Sequence, residues 1–170
     1  MATNYDPVDY HRTVEGIIKE FIEAQISSEV TKVIVSEQDI SDLLPLVKPI
    51  IRIFEVGPAS VLASGMGNVV SQTPNGKAII GKRKILNYNI FIGIDGRLDE
   101  KKPKESAVKR ISGLLEMAFD KYGGTIHQTK GFGSPRYLSL SPGVLLPTGE
   151  NWYDMLHVLT LECITYFEQG

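Results

Sequence analysis

Apolar and polar residues alternate between Leu86 and Ile94, and this is the clearest pattern in the chain. An apolar side chain at every second position is the period of a strand with one buried face. We therefore predict a half-buried strand that ends before Asp95-Gly96. Its alternating apolar residues are Leu86, Tyr88, Ile90, Ile92 and Ile94.

The period changes to three and four after the charged run from Arg97 to Lys102. Pro103 stands where the first turn of a helix tolerates proline, and Gly123-Gly124 supplies a stop. The pattern predicts an amphipathic helix from Lys104 to Tyr122, which buries its apolar stripe best across the apolar face of the preceding strand. The stripe consists of Ala107, Val108, Ile111, Leu114, Leu115, Ala118 and Tyr122.

A second helical pattern lies near the N-terminus, where Asp9 or Thr13 is placed to cap a helix. One face of this segment is apolar and the other is charged, as expected for a helix that packs on a core. Ser27-Ser28 closes the pattern. The apolar face consists of Val14, Ile17, Ile18, Phe21, Ile22 and Ile26.

Other stretches predict strands and turns. β-Branched residues dominate Val30 to Val35, and Pro49 leads into the mostly apolar segment Ile50 to Val56, so both are expected strands. The sequence Thr-Pro-Asn-Gly at 73–76 is a strong turn signal, because proline presets φ and Asn-Gly tolerates positive φ. We expect a hairpin between 60–71 and 77–94, and a brief helical turn from Asp39 to Leu46.

The C-terminal part of the chain is less regular. Glycine and proline interrupt Thr125 to Gly149, so we expect no long element there and mobility in the isolated protein. Trp152 to Phe167 fits helical spacing and also strand alternation, but its β-branched and aromatic residues favour a strand. Together the elements predict one domain over residues 1–170, with an α+β fold in which two helices pack on one face of a mostly antiparallel sheet.

The composition excludes some kinds of site and partner, and it identifies no partner. The chain has 170 residues, of which 42% are apolar and 22% charged, and its net charge of -2 gives no overall attraction to nucleic acid or an acidic membrane. A single cysteine, Cys163, excludes an intrachain disulfide and a cysteine-based zinc site. The polar first residues and the lack of an apolar run of about 18 residues predict a cytosolic protein with no membrane partner.

No arrangement of residues predicts catalysis, a metal site or a cofactor. His11, His127 and His157 are far apart and lack the spacing of metal ligands, so we expect surface or hydrogen-bonded histidines. Asp154 and His157 would be neighbours on a helix, where a serine or Cys163 would complete a triad. The apolar run around Cys163 instead favours an inert buried thiol, and we expect no enzyme.

Two groups of charges at the ends of the alternating strand are candidates for contacts between subunits. Lys82, Arg83 and Lys84 form the densest basic cluster, and Asp99 and Glu100 lie past the other end of the strand. Opposed charges of this kind set the encounter rate and register of an interface. Protection of a sheet edge against wrong pairing is the alternative interpretation of the basic cluster.

A glycine-rich loop at 130–136 is a second candidate contact region. Lys130, Phe132 and Arg136 combine two cations with an aromatic side chain, which suits phosphate or the acidic surface of a partner. A solvated loop is the alternative. The chain has no basic stripe, so we expect no sequence-specific binding of nucleic acid.

The order of these patterns resembles that of the tail terminator (tail completion) proteins of long-tailed bacteriophages. The shared layout begins with an amphipathic helix, here Val14 to Ile26, and a strand introduced by proline, here Lys48 to Phe54. A hairpin strand with alternating polar and apolar residues follows, here Asn87 to Ile94, and an amphipathic helix comes directly after it. A glycine-broken stretch and a tryptophan-led strand, here Trp152 to Phe167, complete the layout.

The resemblance implies a virion structural protein that forms a homohexameric ring on the end of the tail tube. Such a ring ends tail polymerisation and joins the tail to the head. The implied partners are further copies of the chain, the tail tube protein and the head-tail connector proteins. The implied location is the tail or neck of the virion, after assembly in the host cytoplasm.

Two alternatives stay open. Another phage neck or head-completion component would share the same layout. A small intracellular enzyme or ligand-binding domain would instead use the glycine-rich loops near His127 and Arg136 as a pocket.

Overall fold

The computed structural model of the protein describes residues 7–30, 32–35, 48–55, 60–61, 68–95, 101–128, 136–147 and 152–168. These residues form two α-helices and an eight-stranded sheet, which is the predicted α+β fold. The helices are α1 (Pro7–Ile26) and α2 (Lys101–Tyr122), and each continues into a short 3-10 helix, Ser27–Glu29 and Gly123–Gln128. The strands are β1 (Val33–Val35), β2 (Ile50–Glu55), β3 (Ser60–Val61), β4 (Asn68–Gln72), β5 (Ala78–Asp95), β6 (Arg136–Leu140), β7 (Val144–Pro147) and β8 (Trp152–Glu168).

The antiparallel pair of β5 and β8 forms the centre of the sheet. It joins Ile79 to Asp95 with Trp152 to Glu168, residue against residue. Strands β2, β3 and β4 pair in turn along the other edge of β5, while β6 and β7 pair along the other edge of β8. The main path across the sheet is β1-β2-β5-β8-β6, and β1 with β2 is the parallel pair.

One face of the sheet carries the core. Ile90 and Ile92 of β5 lie opposite Ile53 and Ile51 of β2, and residues directly opposite in an antiparallel pair share a face. The predicted alternation from Leu86 to Ile94 is confirmed, because all five apolar residues are buried. The buried apolar residues of this face in β2, β5 and β8 are Ile51, Ile53, Leu86, Tyr88, Ile90, Ile92, Ile94, Met155, Leu159 and Leu161.

Both helices pack on this face, as predicted. The rings of Phe21 in α1 and Phe119 in α2 have centroids 4.7 Å apart, and the ring of Tyr137 in β6 lies 5.4 Å from that of Phe119. This aromatic row connects the two helices to the outer part of the sheet. The buried apolar residues of α2 follow helical spacing: Val108, Ile111, Leu115, Ala118 and Phe119.

Helix α1 begins earlier than predicted. It starts at Pro7, so Asp9 and Thr13 lie inside the helix and neither is its cap. Proline suits a first helical position, because an N–H there would have no acceptor within the helix. The predicted ends of both α-helices are confirmed, at Ile26 and Tyr122. The chain then continues as a short 3-10 helix from Ser27 and from Gly123.

The turn of the predicted hairpin is confirmed. Gly76 has a φ of 78°, which favours glycine, and its N–H donates to the carbonyl oxygen of Thr73 at 2.9 Å. The N–H of Lys77 donates to the Thr73 hydroxyl at 3.1 Å. These bonds close the turn between β4 and β5.

The stretch from Thr125 to Gly149 contains the two short strands β6 and β7, which the sequence did not predict and which are hydrogen-bonded to β8. The expectation of no long element is confirmed for residues 136–147, and mobility of the stretch in the isolated protein stays a prediction. The two strands are only five and four residues long, too short for a periodic signal.

The remaining expectations have mixed outcomes. The closing strand predicted for Trp152 to Phe167 is confirmed as β8, and the strand at Ile50 is confirmed as β2. The strand predicted for Val30 to Val35 is shorter, because β1 begins at Val33. The helical turn predicted for Asp39 to Leu46 lies outside the described residues.

We expect Leu115→Ala to lower the free energy of unfolding by about 2–5 kcal/mol, because it leaves a cavity between α2 and the sheet. Met117→Ala is the matched control, since Met117 lies on the same helix and is 66% exposed. Its substitution is expected to change stability by less than about 0.5 kcal/mol. Urea unfolding of both variants measures the difference, and equal effects would contradict the placement of α2.

Candidate functional site

The basic cluster predicted as a subunit contact lies within the central strand β5. The backbones of Lys82, Arg83 and Lys84 pair with residues 163–165 of β8. Lys84 also pairs with Val61 of β3, so this position has a strand on each side. Protection of a sheet edge is therefore the wrong interpretation for Lys84, while a role in subunit contacts stays a prediction.

The other predicted contact residues are only partly described. Asp99, Glu100, Lys130 and Phe132 lie outside the described residues. Arg136 is exposed and is the first residue of β6, opposite Glu162 of β8. Glu162 lies opposite Ile85 of β5, so the backbone of Arg136 is two strands away from the basic cluster.

The distance between the two ends of the alternating strand can be estimated from its backbone. Lys84 and Asp95 belong to one continuous strand, and at about 3.3 Å per residue they are about 36 Å apart. The basic cluster and the end of β5 at Asp95 are therefore far apart within a subunit.

A buried polar network around His157 is the first feature that the sequence analysis missed. The Ser112 hydroxyl of α2 lies 2.7 Å from Nε2 of His157, and Nδ1 of His157 lies 2.8 Å from the carbonyl oxygen of Ser141. A carbonyl oxygen only accepts, so Nδ1 carries a proton, and in the neutral imidazole Nε2 then accepts from the Ser112 hydroxyl. The expectation of a hydrogen-bonded histidine is confirmed for His157.

The network also fixes the linker between β6 and β7. The N–H of Ser141 donates to the carbonyl oxygen of Val158, and the N–H of Val158 donates to the Ser141 hydroxyl at 2.7 Å. The N–H of Gly143 donates to Oε1 of Glu116 at 3.2 Å. We refer to Ser112, Glu116, Ser141, Gly143 and His157 together as the polar clamp.

In the polar clamp, a serine hydroxyl, a histidine ring and an acceptor are hydrogen-bonded in sequence, as they are in an activated serine. The described residues around it do not provide the access and the free donors that catalysis needs. A nucleophile requires access to substrate and donors for the developing oxyanion. Ser112 and His157 are both buried, and the N–H of Gly143 is already bonded to Glu116. The arrangement is suited to holding the linker against α2 and β8.

The triad considered from the sequence is excluded by the geometry of β8. Asp154 and His157 are three residues apart on a strand, so their side chains lie on opposite faces of the sheet. His157 faces α2, as its bond to Ser112 shows. Asp154 instead pairs with Arg52 of β2.

The ion pair of Arg52 and Asp154 is the second feature that the sequence analysis missed. Nη2 of Arg52 lies 2.8 and 3.0 Å from the two carboxylate oxygens of Asp154. The Asp154 side chain is only 7% exposed. The guanidinium carbon of Arg52 also lies 5.4 Å from the Phe91 ring centroid and 5.5 Å from that of Trp152. Gly93, directly opposite Asp154, leaves room for this cluster.

The surroundings of this ion pair indicate a structural role. An added Cβ at Gly93 would lie 2.5 Å from Oδ1 of Asp154 and 2.7 Å from the Trp152 ring. Among the described side chains, Nε of Arg52 is buried without a hydrogen-bond partner. The signal that could have found the pair is a charged residue within each of two mostly apolar strands, because charges at such positions usually have a partner.

A shallow cleft beside the polar clamp is lined by Glu116, Asp120, Leu140 and Pro142. Its volume is about 160 Å³, below the roughly 300–1,000 Å³ of small-molecule sites. Close to it, burial raises the pKa of the Tyr137 phenol, and the negative charge of Asp120 raises it further. A hydrogen bond with the Leu140 backbone lowers this pKa in part. The cleft is therefore a poor candidate for a substrate site.

Comparisons with known proteins do not assign the chain to a family. No protein-family model matches it, and no curated protein matches it. Within the described residues, no three or more His, Cys, Asp or Glu side chains are grouped so that they could hold a metal ion. No helix in the described part of the chain is long and apolar enough to cross a membrane.

We expect Arg52→Met to lower the free energy of unfolding by about 2–5 kcal/mol, because it leaves the Asp154 carboxylate buried without its partner. Lys109→Met is the matched control, since it removes the exposed ion pair between Lys109 and Glu105 on α2. Such a pair contributes about 0–1 kcal/mol. Thermal and urea unfolding measure both effects, and a loss no larger than that of the control would contradict the importance of the buried pair.

We expect Gly143→Ala to destabilise the protein by about 1–3 kcal/mol, because the added methyl group overfills the site. Its Cβ would lie 2.5 Å from the Ser112 hydroxyl and 2.9 Å from Nε2 of His157. Gly113→Ala on α2 is the control, since no atom lies within 4 Å of its added Cβ, and alanine favours a helix by about 0.5–1 kcal/mol. Calorimetry should show a lower stability for Gly143→Ala and a higher stability for Gly113→Ala. A stability change in the same direction for both variants would contradict the tight packing at Gly143.

Proposed function

We propose that this chain is a phage virion structural protein of the tail terminator kind. It forms a ring of identical subunits on the end of the tail tube, stops tube polymerisation and joins the tail to the head. Its partners are other copies of itself, the tail tube protein and the connector proteins above it. It acts by assembly, with no catalytic turnover and no cofactor.

The observation that best supports this proposal is the length of the central strand pair. Strand β5 has 18 residues, which corresponds to about 60 Å. Helix α2 has 22 residues, which corresponds to about 33 Å. The strand pair is thus far longer than the helix that packs on it.

The excess length lies at one end of the sheet. Phe119, near the end of α2, packs against Tyr137, which pairs with Leu161 of β8. Past that level, residues 79–84 of β5 still pair with 163–168 of β8, and β4 pairs along the other side. The long sheet thus offers an extended surface for contacts between subunits.

A ring also needs two different surfaces on each subunit. A head-to-tail interface closes into a ring when its rotation divides a full turn. The sheet ends in β1 on one side and in β6 on the other, so its two edges can meet different surfaces of neighbouring subunits. The resemblance of the sequence layout to tail terminators makes six the expected number of subunits.

Native mass spectrometry at micromolar concentration tests the proposal, and a closed hexamer is the expected result. Electron microscopy should show rings with an axial opening. Purified rings should also stop the polymerisation of a tail tube protein taken from the same phage. A strict monomer at every concentration, with no effect on tube growth, would contradict the proposal.

Replacing Lys82, Arg83 and Lys84 together by Glu should slow or misdirect ring assembly while the fold is retained, because charges near an interface set encounter rate and register. The matched control reverses Lys109, Arg110 and Lys121, three exposed cations of α2, and changes the net charge equally. Size-exclusion chromatography and circular dichroism compare both variants with the parent. Unchanged ring formation by a folded triple variant would exclude a role of the basic cluster in subunit contacts.

A further inference from the structure

The outer edge of the sheet at β6 and β7 combines exposed apolar side chains with an acidic cleft, and we propose that it binds another polypeptide. The partner is an extended segment that pairs with this edge through its backbone. It carries apolar side chains and one lysine or arginine that enters the cleft. Residues 136–147 are referred to below as the edge segment. The contact goes beyond the proposed ring and does not depend on it.

The edge segment has an open strand edge. Strands β6 and β7 both pair with β8 on one side, and β6 ends the path of strands across the sheet. No other strand in the described part of the chain pairs with either of them. Backbone N–H and C=O groups along such an edge can pair with an added strand, which is how several kinds of domain bind extended peptides.

The side chains of the edge segment favour a contact. Leu138 is 41% exposed, Val144 56% and Leu145 38%. Edge strands in soluble proteins usually carry charges that prevent pairing with other chains, yet Arg136 is the one charged residue between positions 136 and 147. Exposed apolar side chains and an open strand edge therefore occur together, as expected of a surface that a partner covers.

The polar clamp fixes the edge segment before a partner binds. Ser141, between the two strands, bonds to Val158 through its N–H and its hydroxyl and to His157 through its carbonyl oxygen. Gly143 bonds to Glu116 of α2. A segment that is already ordered loses little conformational entropy on binding. The buried polar network thus has a role in presenting this edge.

The cleft beside the edge segment supplies negative charge. It is lined by Glu116 and Asp120 of α2 and by Leu140 and Pro142 of the edge segment, and we name it the acidic cleft. The Glu116 side chain is 44% exposed, and Asp120 is exposed. Among the described residues, neither carboxylate forms an ion pair with a lysine or an arginine. A cation from a partner can therefore bind without displacing another.

The acidic cleft has the size of one side chain. Its volume is about 160 Å³, which is about the space of five water molecules at ~30 Å³ each. A lysine side chain has the same number of non-hydrogen atoms. The carboxylates belong to α2, so the acidic cleft lies on the helix side of the edge. Side chains of an added strand alternate between the two faces, and every second one therefore lies on that side.

The described edge strands of a second copy do not supply this cation. Strands β1, β3 and β4 contain no lysine or arginine. Strand β6 contains Arg136, which lies opposite Glu162, one position after the helix-facing Leu161. Neighbouring positions of a strand face opposite ways, so Arg136 lies on the face away from the helices, and antiparallel pairing of two edge segments would keep it there. A different polypeptide is therefore the better fit.

Selection from a library of random seven-residue peptides displayed on yeast tests the chemistry of the partner. The wild-type protein should enrich sequences with apolar residues at alternate positions and one Lys or Arg. A variant with Glu116→Gln and Asp120→Asn should lose the enrichment of Lys and Arg, while its glutamine keeps an acceptor for the Gly143 N–H. The matched control carries Glu20→Gln and Glu23→Gln on α1, and it should select the same sequences as the wild type.

A fluorescein-labelled peptide from the selection measures affinity by fluorescence anisotropy. Val144→Lys should weaken binding at least about ten-fold, because it replaces an apolar contact and repels the cation of the peptide. Ala24→Lys is the control, since Ala24 is exposed on the other helix, and it should leave the affinity unchanged. Circular dichroism verifies that both variants are folded.

The outcomes separate the two proposals. Failure to enrich any peptide, enrichment without a basic residue, or equal affinity of Val144→Lys and the wild type would overturn the proposed partner. Wild-type oligomers that dissociate with Val144→Lys in analytical ultracentrifugation would show that a second copy occupies the edge, and would overturn it as well. A wild-type chain that stays monomeric but binds the peptide would overturn the ring and leave this contact standing.

Discussion

The antiparallel pairing of β5 with β8 is the interaction on which the rest of the structure depends. Residue by residue it joins 79–95 to 152–168, and it is the framework for almost every other strand. β2, β3 and β4 pair with β5, while β6 and β7 pair with β8. The apolar face that the helices cover exists only while this pairing holds. The same pairing fixes the two edges of the sheet relative to each other.

Local patterns predicted the elements whose stability is local in origin. The alternation from Leu86 to Ile94 and the helical spacing up to Tyr122 each span enough residues to distinguish the period of a strand from that of a helix. The competing helical pattern at Trp152 failed because its β-branched and aromatic residues fit a pleated surface better. β6 and β7 were missed because glycine and proline surround them and because long-range pairing with β8 stabilises them.

The candidate site was less predictable, because its parts are distant in the chain. Arg52 and Asp154 are 102 residues apart, and Ser112 and His157 are 45 apart, so no short motif contains either pair. The only sign of either pair in the sequence was a polar residue within a mostly apolar segment. Conversely, the basic run at 82–84 was prominent in the sequence, yet the fold places its backbone inside the sheet.

The placement of Asp154 and His157 on opposite faces of β8 has a consequence for how the sheet reaches its correct register. Long strands rich in apolar residues can pair out of step, and a shift by one residue exchanges the two faces of a strand. Such a shift would put the carboxylate of Asp154 under the helices without Arg52 and would remove His157 from Ser112. Burial of an unpaired charge is strongly unfavourable. These two polar residues therefore discriminate against misaligned chains during folding, so that the longest strand pair has one favoured alignment.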